Sequence, residues 1–354
     1  MGDLGIFSRK GLFTMDFQIR IKKVRQFLND KGFDCIIITG SSNIFYLTGL
    51  YGIEGYLCIT NKGNIGFFTS GIFYQYVCDR LKNMNIPDFS PEIFNKKLFV
   101  KFLKGFKKPV LFSSECFVRT WRYLCSETGK QIKAIDDFVA DMRAVKEDEE
   151  IKKIQEAEKI TLSVLKKIKN IIKPGVSEID ISAEIYYQLR KSGADKESFP
   201  PIVASGINSS YPHHLPTRRK IRHNDILIID IGASVDGYSG DITETIILGK
   251  PSLNVKKSYD AILHVHRDVE ELISSGEKLC RKLHLQAVDT LKKYGLDKFF
   301  THTLGHGVGI DVHELPILGT RSKDILKKGM VFTVEPGVYI PGEFGIRIEK
   351  MFYA

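Results

Sequence analysis

Three runs within Thr301–Lys350 decide how this chain is read: His302-Thr303-Leu304-Gly305-His306-Gly307-Val308-Gly309, Thr333-Val334-Glu335-Pro336-Gly337 and Gly345-Ile346-Arg347-Ile348-Glu349. Glu335 closes the apolar run Met330–Val334, and Glu349 lies in a second strand-like run. A carboxylate in an apolar strand is costly unless something satisfies it. His306 stands between two glycines, where backbone comes close; alone, such a histidine is more often a polar core residue than a ligand. His302, His306 and His313 nevertheless cluster in a chain with 9 histidines in all.

Working upstream, Asp230 is embedded in Ile226-Leu227-Ile228-Ile229-Asp230-Ile231-Gly232, and Asp241 opens Asp241-Ile242-Thr243-Glu244-Thr245. An aspartate capping a turn at a strand end accounts for Asp230 by itself. A loop over 233–240 would also let the two acids meet across adjacent strands. Carboxylates so paired in a core repel, and one stays protonated unless a cation lies between them. Four acids and one imidazole suit a pair of divalent cations better than one structural zinc.

The rest of the chain reads as α/β. Ile21, Val24 and Leu28 fall at helical spacing and stop at Lys31-Gly32, and 34–39 reads as a buried strand. Strands over 56–60 and 65–69 flank the turn Asn61-Lys62-Gly63-Asn64. Helices are expected at 72–82, 94–104 and 117–126, with strands near 109–112 and 131–135. Lys146-Glu147-Asp148-Glu149-Glu150 opens a long helix with its acids at the end the helix dipole favours, and Lys173-Pro174-Gly175 stops it. Ser177-Glu178-Ile179-Asp180 starts another. Strands follow at 199–204, 225–235, 241–248, 330–340 and 344–350, with helices at 254–275 and 280–294. The expected organisation is a flexible extension over 1–15, a mixed-sheet domain over 16–144 and a second α/β domain over 145–354.

Composition narrows the function classes. An apolar content of 43% and a mean hydropathy of −0.10 describe a soluble globular chain. No apolar run reaches a membrane-spanning length, and no apolar stretch of a secretory signal follows Arg9 and Lys10. The six cysteines, Cys35, Cys58, Cys78, Cys116, Cys125 and Cys280, form no CxxC pair and fit reduced thiols in a cytoplasmic protein. Residues 1–144 hold 21 Lys and Arg against 13 Asp and Glu, while the remainder holds 31 against 29. Those lysines are scattered over helical segments without interleaved aromatics, so a solvated surface is expected rather than a nucleic-acid partner.

The five residues Asp230, Asp241, His306, Glu335 and Glu349, in these contexts, resemble the metal set of the pita-bread metallopeptidases. The branch is that of Xaa-Pro aminopeptidases and Xaa-Pro dipeptidases (prolidases). Phe199-Pro200-Pro201-Ile202-Val203-Ala204-Ser205-Gly206 with Pro212-His213, and Val312-His313-Glu314, are similar to that branch. Asn43-Ile44-Phe45-Tyr46-Leu47-Thr48-Gly49 resembles the creatinase-like N-terminal domain, which methionine aminopeptidases lack. The resemblance implies a C-terminal pita-bread domain after a creatinase-like one. It implies two divalent ions per subunit, manganese first, with cobalt, zinc or iron possible. Asp230 would bind one ion, Asp241 and Glu349 would bridge both, and His306 and Glu335 would bind the other. His213, His313 and Glu335 would be catalytic, and His302 and Arg347 would line the substrate pocket.

The activity so implied is hydrolysis of the N-terminal Xaa-Pro bond of proline-containing peptides by an aminopeptidase. The alternatives are a dipeptidase and a non-catalytic binding protein on the same fold. A homodimer is implied as well. The sequence departs from the family pattern at Ser70-Gly71-Ile72, at Glu244 and in ending at Ala354, soon after Glu349, so a short last strand with fragile metal occupancy is expected.

Overall fold

The computed structural model describes residues 15–82, 86–107, 110–113, 117–129, 132–135 and 138–354. Most of the expected N-terminal extension, and Cys116, lie outside them. The chain forms two compact units, Met1–Met142 and Arg143–Ala354.

The first unit contains α1 (Phe17–Lys31), β1 (Cys35–Ile38), α2 (Ser41–Thr48), β2 (Gly55–Thr60), β3 (Ile65–Thr69), α3 (Gly71–Leu81), β4 (Phe89–Ile93), α4 (Lys96–Lys104), β5 (Val110–Ser113), α5 (Val118–Thr128) and β6 (Lys133–Ile135). The strands make one mixed sheet in the order β4-β3-β2-β1-β5-β6. All four side chains of β1 are buried, as a central strand covered on both faces requires. Gly32, at φ +72°, ends α1 where the apolar periodicity stops. The β2–β3 hairpin pairs as anticipated. β4 was not anticipated: Ser90, Pro91 and Glu92 break its apolar pattern, and it adds to β3 as an edge strand, where proline is tolerated. Among the described residues Cys35, Cys58, Cys78, Cys125 and Cys280 are free, the first two and the last buried. Ile72, in the departing Ser70-Gly71-Ile72 run, is 87% exposed on the first turn of α3.

Helix α6 (Phe138–Ala144) runs across the division between the units. The second unit continues with α7 (Asp148–Lys169), α8 (Glu178–Lys191), β7 (Lys196–Glu197), β8 (Ile202–Ser205), β9 (Ile226–Ile231), β10 (Ala233–Val235), β11 (Tyr238–Ser239) and β12 (Ile242–Ile247). It ends with α9 (Leu253–Ser274), α10 (Cys280–Tyr294), β13 (Gly305–Gly307), β14 (Glu314–Leu318), β15 (Val331–Val334), β16 (Gly337–Ile340), β17 (Phe344–Arg347) and β18 (Lys350–Tyr353). Glu147 and Glu150 form a reciprocal capping box at the start of α7, and Ser177 and Asp180 form another at α8.

Four sheets result: β12-β9-β8, β14-β13-β15-β18, β16-β17 and β11-β10-β7. Apolar faces of α9 and α10, including Val265, Val269, Leu283 and Leu291, pack in one core with Phe332, Val334, Val338 and Ile346 from the strands. Three details differ from the sequence reading. The 233–240 connection is itself the β10–β11 hairpin, docked on β7. Glu349 lies in the gap between β17 and β18 rather than within a strand. The four residues of β18 all pair with β15, and the backbone of Ala354 exchanges hydrogen bonds with Gly329 and Met330.

Candidate metal centre and active site

β9 and β12 pair antiparallel with Asp230 opposite Thr243 and Ile231 opposite Ile242. Asp241 precedes Ile242, so by strand alternation its side chain shares the face of Thr243 and of Asp230, one diagonal step away. Glu349 joins them from the β17–β18 gap: its backbone N–H donates to Thr243 O, and its Oε2 accepts from the Thr243 hydroxyl at 2.8 Å. His266 of α9, a histidine to which the sequence reading gave no role, steadies this gap, its Nε2 lying 2.8 Å from the carbonyl oxygen of Ile348.

His306 comes from β13, whose glycines are required by packing. A Cβ on Gly305 would stand 2.0 Å from Thr333 O, and one on Gly307 the same distance from Leu315 O. The neighbouring backbones therefore close tightly around His306. Its Nδ1 lies 3.1 Å from Gly307 O, which places the proton there and leaves Nε2 with a lone pair. That Nε2 points at Glu335 Oε1 at 3.4 Å and at Asp241 Oδ2 at 3.7 Å. Glu335 is held by its backbone N–H on Leu304 O at 2.7 Å.

Asp241, His306 and Glu349 each offer a ligand atom within 4.8 Å of the others, and all three are buried. Burial, then the mutual repulsion of Asp241 with Glu349, Asp230 and Glu335, holds the Asp241 carboxyl well above its usual range. Burial and Glu349 do the same to Glu335, and burial and Asp230 push Glu349 up to about 7. Burial, with His313 beside it, lowers His306 to about 4, so its imidazole is neutral at ordinary pH. Asp230 Oδ1 and Glu349 Oε1 are buried with no hydrogen-bond partner. A buried group of repelling carboxylates with orphaned oxygens and a neutral imidazole fits divalent cations in chemistry and in placement.

Arg347 stands beside the acids. It is 4% exposed, and its guanidinium donates to Asp230 Oδ2 at 2.7 Å, the Tyr339 hydroxyl at 2.7 Å, the Thr243 hydroxyl at 3.2 Å and Pro212 O at 3.2 Å. It therefore fixes one acid from behind and touches the segment carrying His213. Tyr339, hidden in the apolar run of β16, was not singled out from sequence; its hydroxyl joins Arg347 to His302 Nε2 at 3.1 Å. Burial brings His302 down to about 4.

His213 and His313 are both exposed. The His313 ring lies 4.3 Å from that of His306, and its pKa is lowered by burial of part of the ring and then by His213, which also acts on His302. His213 thus lies within electrostatic reach of both His302 and His313. Behind His313, Arg143 donates to Asp311 and Glu314 at 2.5 Å each. Glu244 forms an ion pair with Lys169. No helix among the described residues is long and apolar enough to cross a membrane.

Comparison with known proteins agrees with this geometry. Residues 152–354 match the model of metallopeptidase family M24, and residues 20–145 that of the creatinase/prolidase N-terminal domain. The Xaa-Pro dipeptidase of Pyrococcus horikoshii is 32% identical over 93% of this chain and 92% of its own. A putative Xaa-Pro aminopeptidase of Mycoplasma pneumoniae is 31% identical over 95% and 94%. The crystal structure of recombinant prolidase from Thermococcus sibiricus superposes with a TM-score of 0.86 at 31% identity, over 96% of this chain and 95% of that one. The chain belongs to metallopeptidase family M24, in a group of Xaa-Pro peptidases, and is a peptide-bond hydrolase of pita-bread fold with a creatinase-like N-terminal domain. The family and fold expected from the sequence are borne out.

Proposed function

We propose that this enzyme is a dinuclear Xaa-Pro aminopeptidase, releasing the N-terminal residue of peptides with proline second. The observation that carries the reading is the buried convergence of Asp241, His306 and Glu349, with Glu335 on His306 and Asp230 on Arg347. Asp230, Asp241, His306, Glu335 and Glu349 would hold the ions. Divalent ions bound there supply Lewis acidity toward the scissile carbonyl and make water more acidic.

The remaining work falls to the chain. Glu335, beside His306, accepts the proton of the attacking water. His213 and His313 donate to the carbonyl oxygen as it gains charge, an effect commonly worth about 3 kcal/mol per donor. Arg347 keeps Asp230 oriented. A proline amide nitrogen carries no N–H, so recognition rests on ring shape within the pocket rather than on a hydrogen bond to that nitrogen.

The aminopeptidase reading is supported by the name of the Mycoplasma pneumoniae relative. A second reading, an Xaa-Pro dipeptidase, is supported by the names of the Pyrococcus and Thermococcus relatives. Manganese as the native metal, a homodimer and a cytoplasmic location belong to the same proposal. Hydrolysis of Xaa-Pro dipeptides and Xaa-Pro-Yaa tripeptides with manganese, cobalt, zinc or iron tests it. Tripeptide cleavage supports the aminopeptidase, cleavage of dipeptides alone the dipeptidase, and no cleavage with any metal overturns both.

A further inference from the structure

The segment 205–217 carries His213 and is docked between two supports. On one side Gly345 N–H donates to the Ser209 hydroxyl at 2.9 Å, and Arg347 holds Pro212 O. On the other side stands Glu178, the first residue of α8, whose side chain is fully buried. Its Oε1 accepts from the Ser205 N–H at 2.8 Å, the Ser205 hydroxyl at 2.7 Å and the Asn208 amide at 3.0 Å. Its Oε2 accepts from His214 Nε2 at 3.0 Å, the Thr217 N–H at 3.0 Å and the Thr217 hydroxyl at 2.6 Å. In return the backbone N–H groups of Glu178 and Ile179 donate to the carbonyls of Arg219 and Thr217. The donors lie on both sides of Pro212-His213 in sequence, and only an ionised carboxylate, which accepts at both oxygens and carries no proton of its own, meets them without turning a donor toward a donor. The N-terminal end of α8 adds a favourable field for that charge.

We propose that Glu178 is a positioning residue for His213: one buried carboxylate gathers both ends of the 205–217 segment and so sets where the His213 imidazole stands. This rests on the role given to His213 in the proposed function. A glutamine at 178 keeps the size but turns an N–H₂ group toward donors, so part of the set is lost and the segment loosens.

The test is a double-mutant cycle on an Xaa-Pro-Yaa substrate, joined to hydrogen exchange of the 205–217 amides. E178Q is expected to lower kcat about 10- to 100-fold, with KM changed less than about twofold. It should add less than about twofold in an H213A background, and should speed exchange at Ser205 and Thr217 while leaving α9 and α10 unchanged. T217V, which removes one donor from a partly exposed residue, should act in the same direction more weakly, and it serves if E178Q does not fold. Wild-type kcat in E178Q, effects of E178Q and H213A that multiply, or an H213A variant as active as wild type would overturn the proposal. If wild-type protein cleaves no Xaa-Pro substrate, the functional reading has failed by itself. Exchange then decides the positioning role, with faster exchange in E178Q supporting it and unchanged exchange overturning it.

Discussion

Replacing Glu349 by glutamine should stabilise the metal-free protein while weakening its hold on metal. Glu349 is 3% exposed, and burial together with Asp230 raises its carboxyl from 4.5 to about 7. A raised carboxyl means that the folded form binds the proton more tightly than the unfolded chain. The associated stability is complete below about pH 4.5 and is lost as pH climbs to about 7, a change on the order of 3 kcal/mol. Glutamine still accepts from the Thr243 hydroxyl and carries no charge. With chelator present, E349Q and wild type should therefore unfold together near pH 4.5. At pH 8 the variant should lead by about 3 kcal/mol, or about 6–12 °C in Tm for a unit of this size. Saturating manganese should reverse the order, because ligand binding stabilises only the form that binds it. Thermal unfolding at both pH values, with chelator and with manganese, reads all four conditions. A metal-free E349Q less stable than wild type at pH 8, or a gap independent of pH, would refute the reasoning.

Three further outcomes follow from named contacts. Glu178 should show the opposite pH dependence: burial opposes its charge, but Thr217, Ser205, His214 and Asn208 bring it to about 2. Its stabilisation, about 3 kcal/mol, is present above about pH 4.5 and is lost as pH falls toward 2, and E178Q should flatten urea midpoints over that range. Arg143→Ala leaves the buried Glu314 carboxylate with Lys146, at 3.3 Å, as its remaining cation and should cost about 1–3 kcal/mol in urea unfolding. Gly305→Ala drives a Cβ into Thr333 O. It should cost about 1–3 kcal/mol of stability in urea unfolding and lower manganese retention, because His306 moves with β13.

The carboxylates were legible because each stands within or at the end of a strand-like run, where an unsatisfied acid is conspicuous; Asp230 in Ile226–Ile231 is the clearest case. Gly305 and Gly307 were legible as a close approach, although not which backbones approach. Glu178 was hidden because Ser177-Glu178-Ile179-Asp180 already explains itself as a helix start. The capping box is indeed made by Ser177 and Asp180, and nothing local says that the acid between them is buried against residues 205–217. Tyr339 was hidden for a related reason, since an aromatic in an apolar strand reads as core until a hydroxyl partner appears. Strand β13 is too short for a period to show, and β4 breaks its own pattern at Pro91. For Arg347 only the fold reveals the contacts of its guanidinium with Asp230, Tyr339, Thr243 and Pro212.

The central claim is that five side chains from β9, β13 and the segments flanking β12, β15 and β18 together hold two divalent ions. Metal content per chain after reconstitution with manganese and removal of free ion measures it directly, in wild type and in Asp241→Ala. Two ions per wild-type chain and at most one in the variant are expected. A wild-type chain that retains none, or a variant that retains as many as wild type, would contradict it.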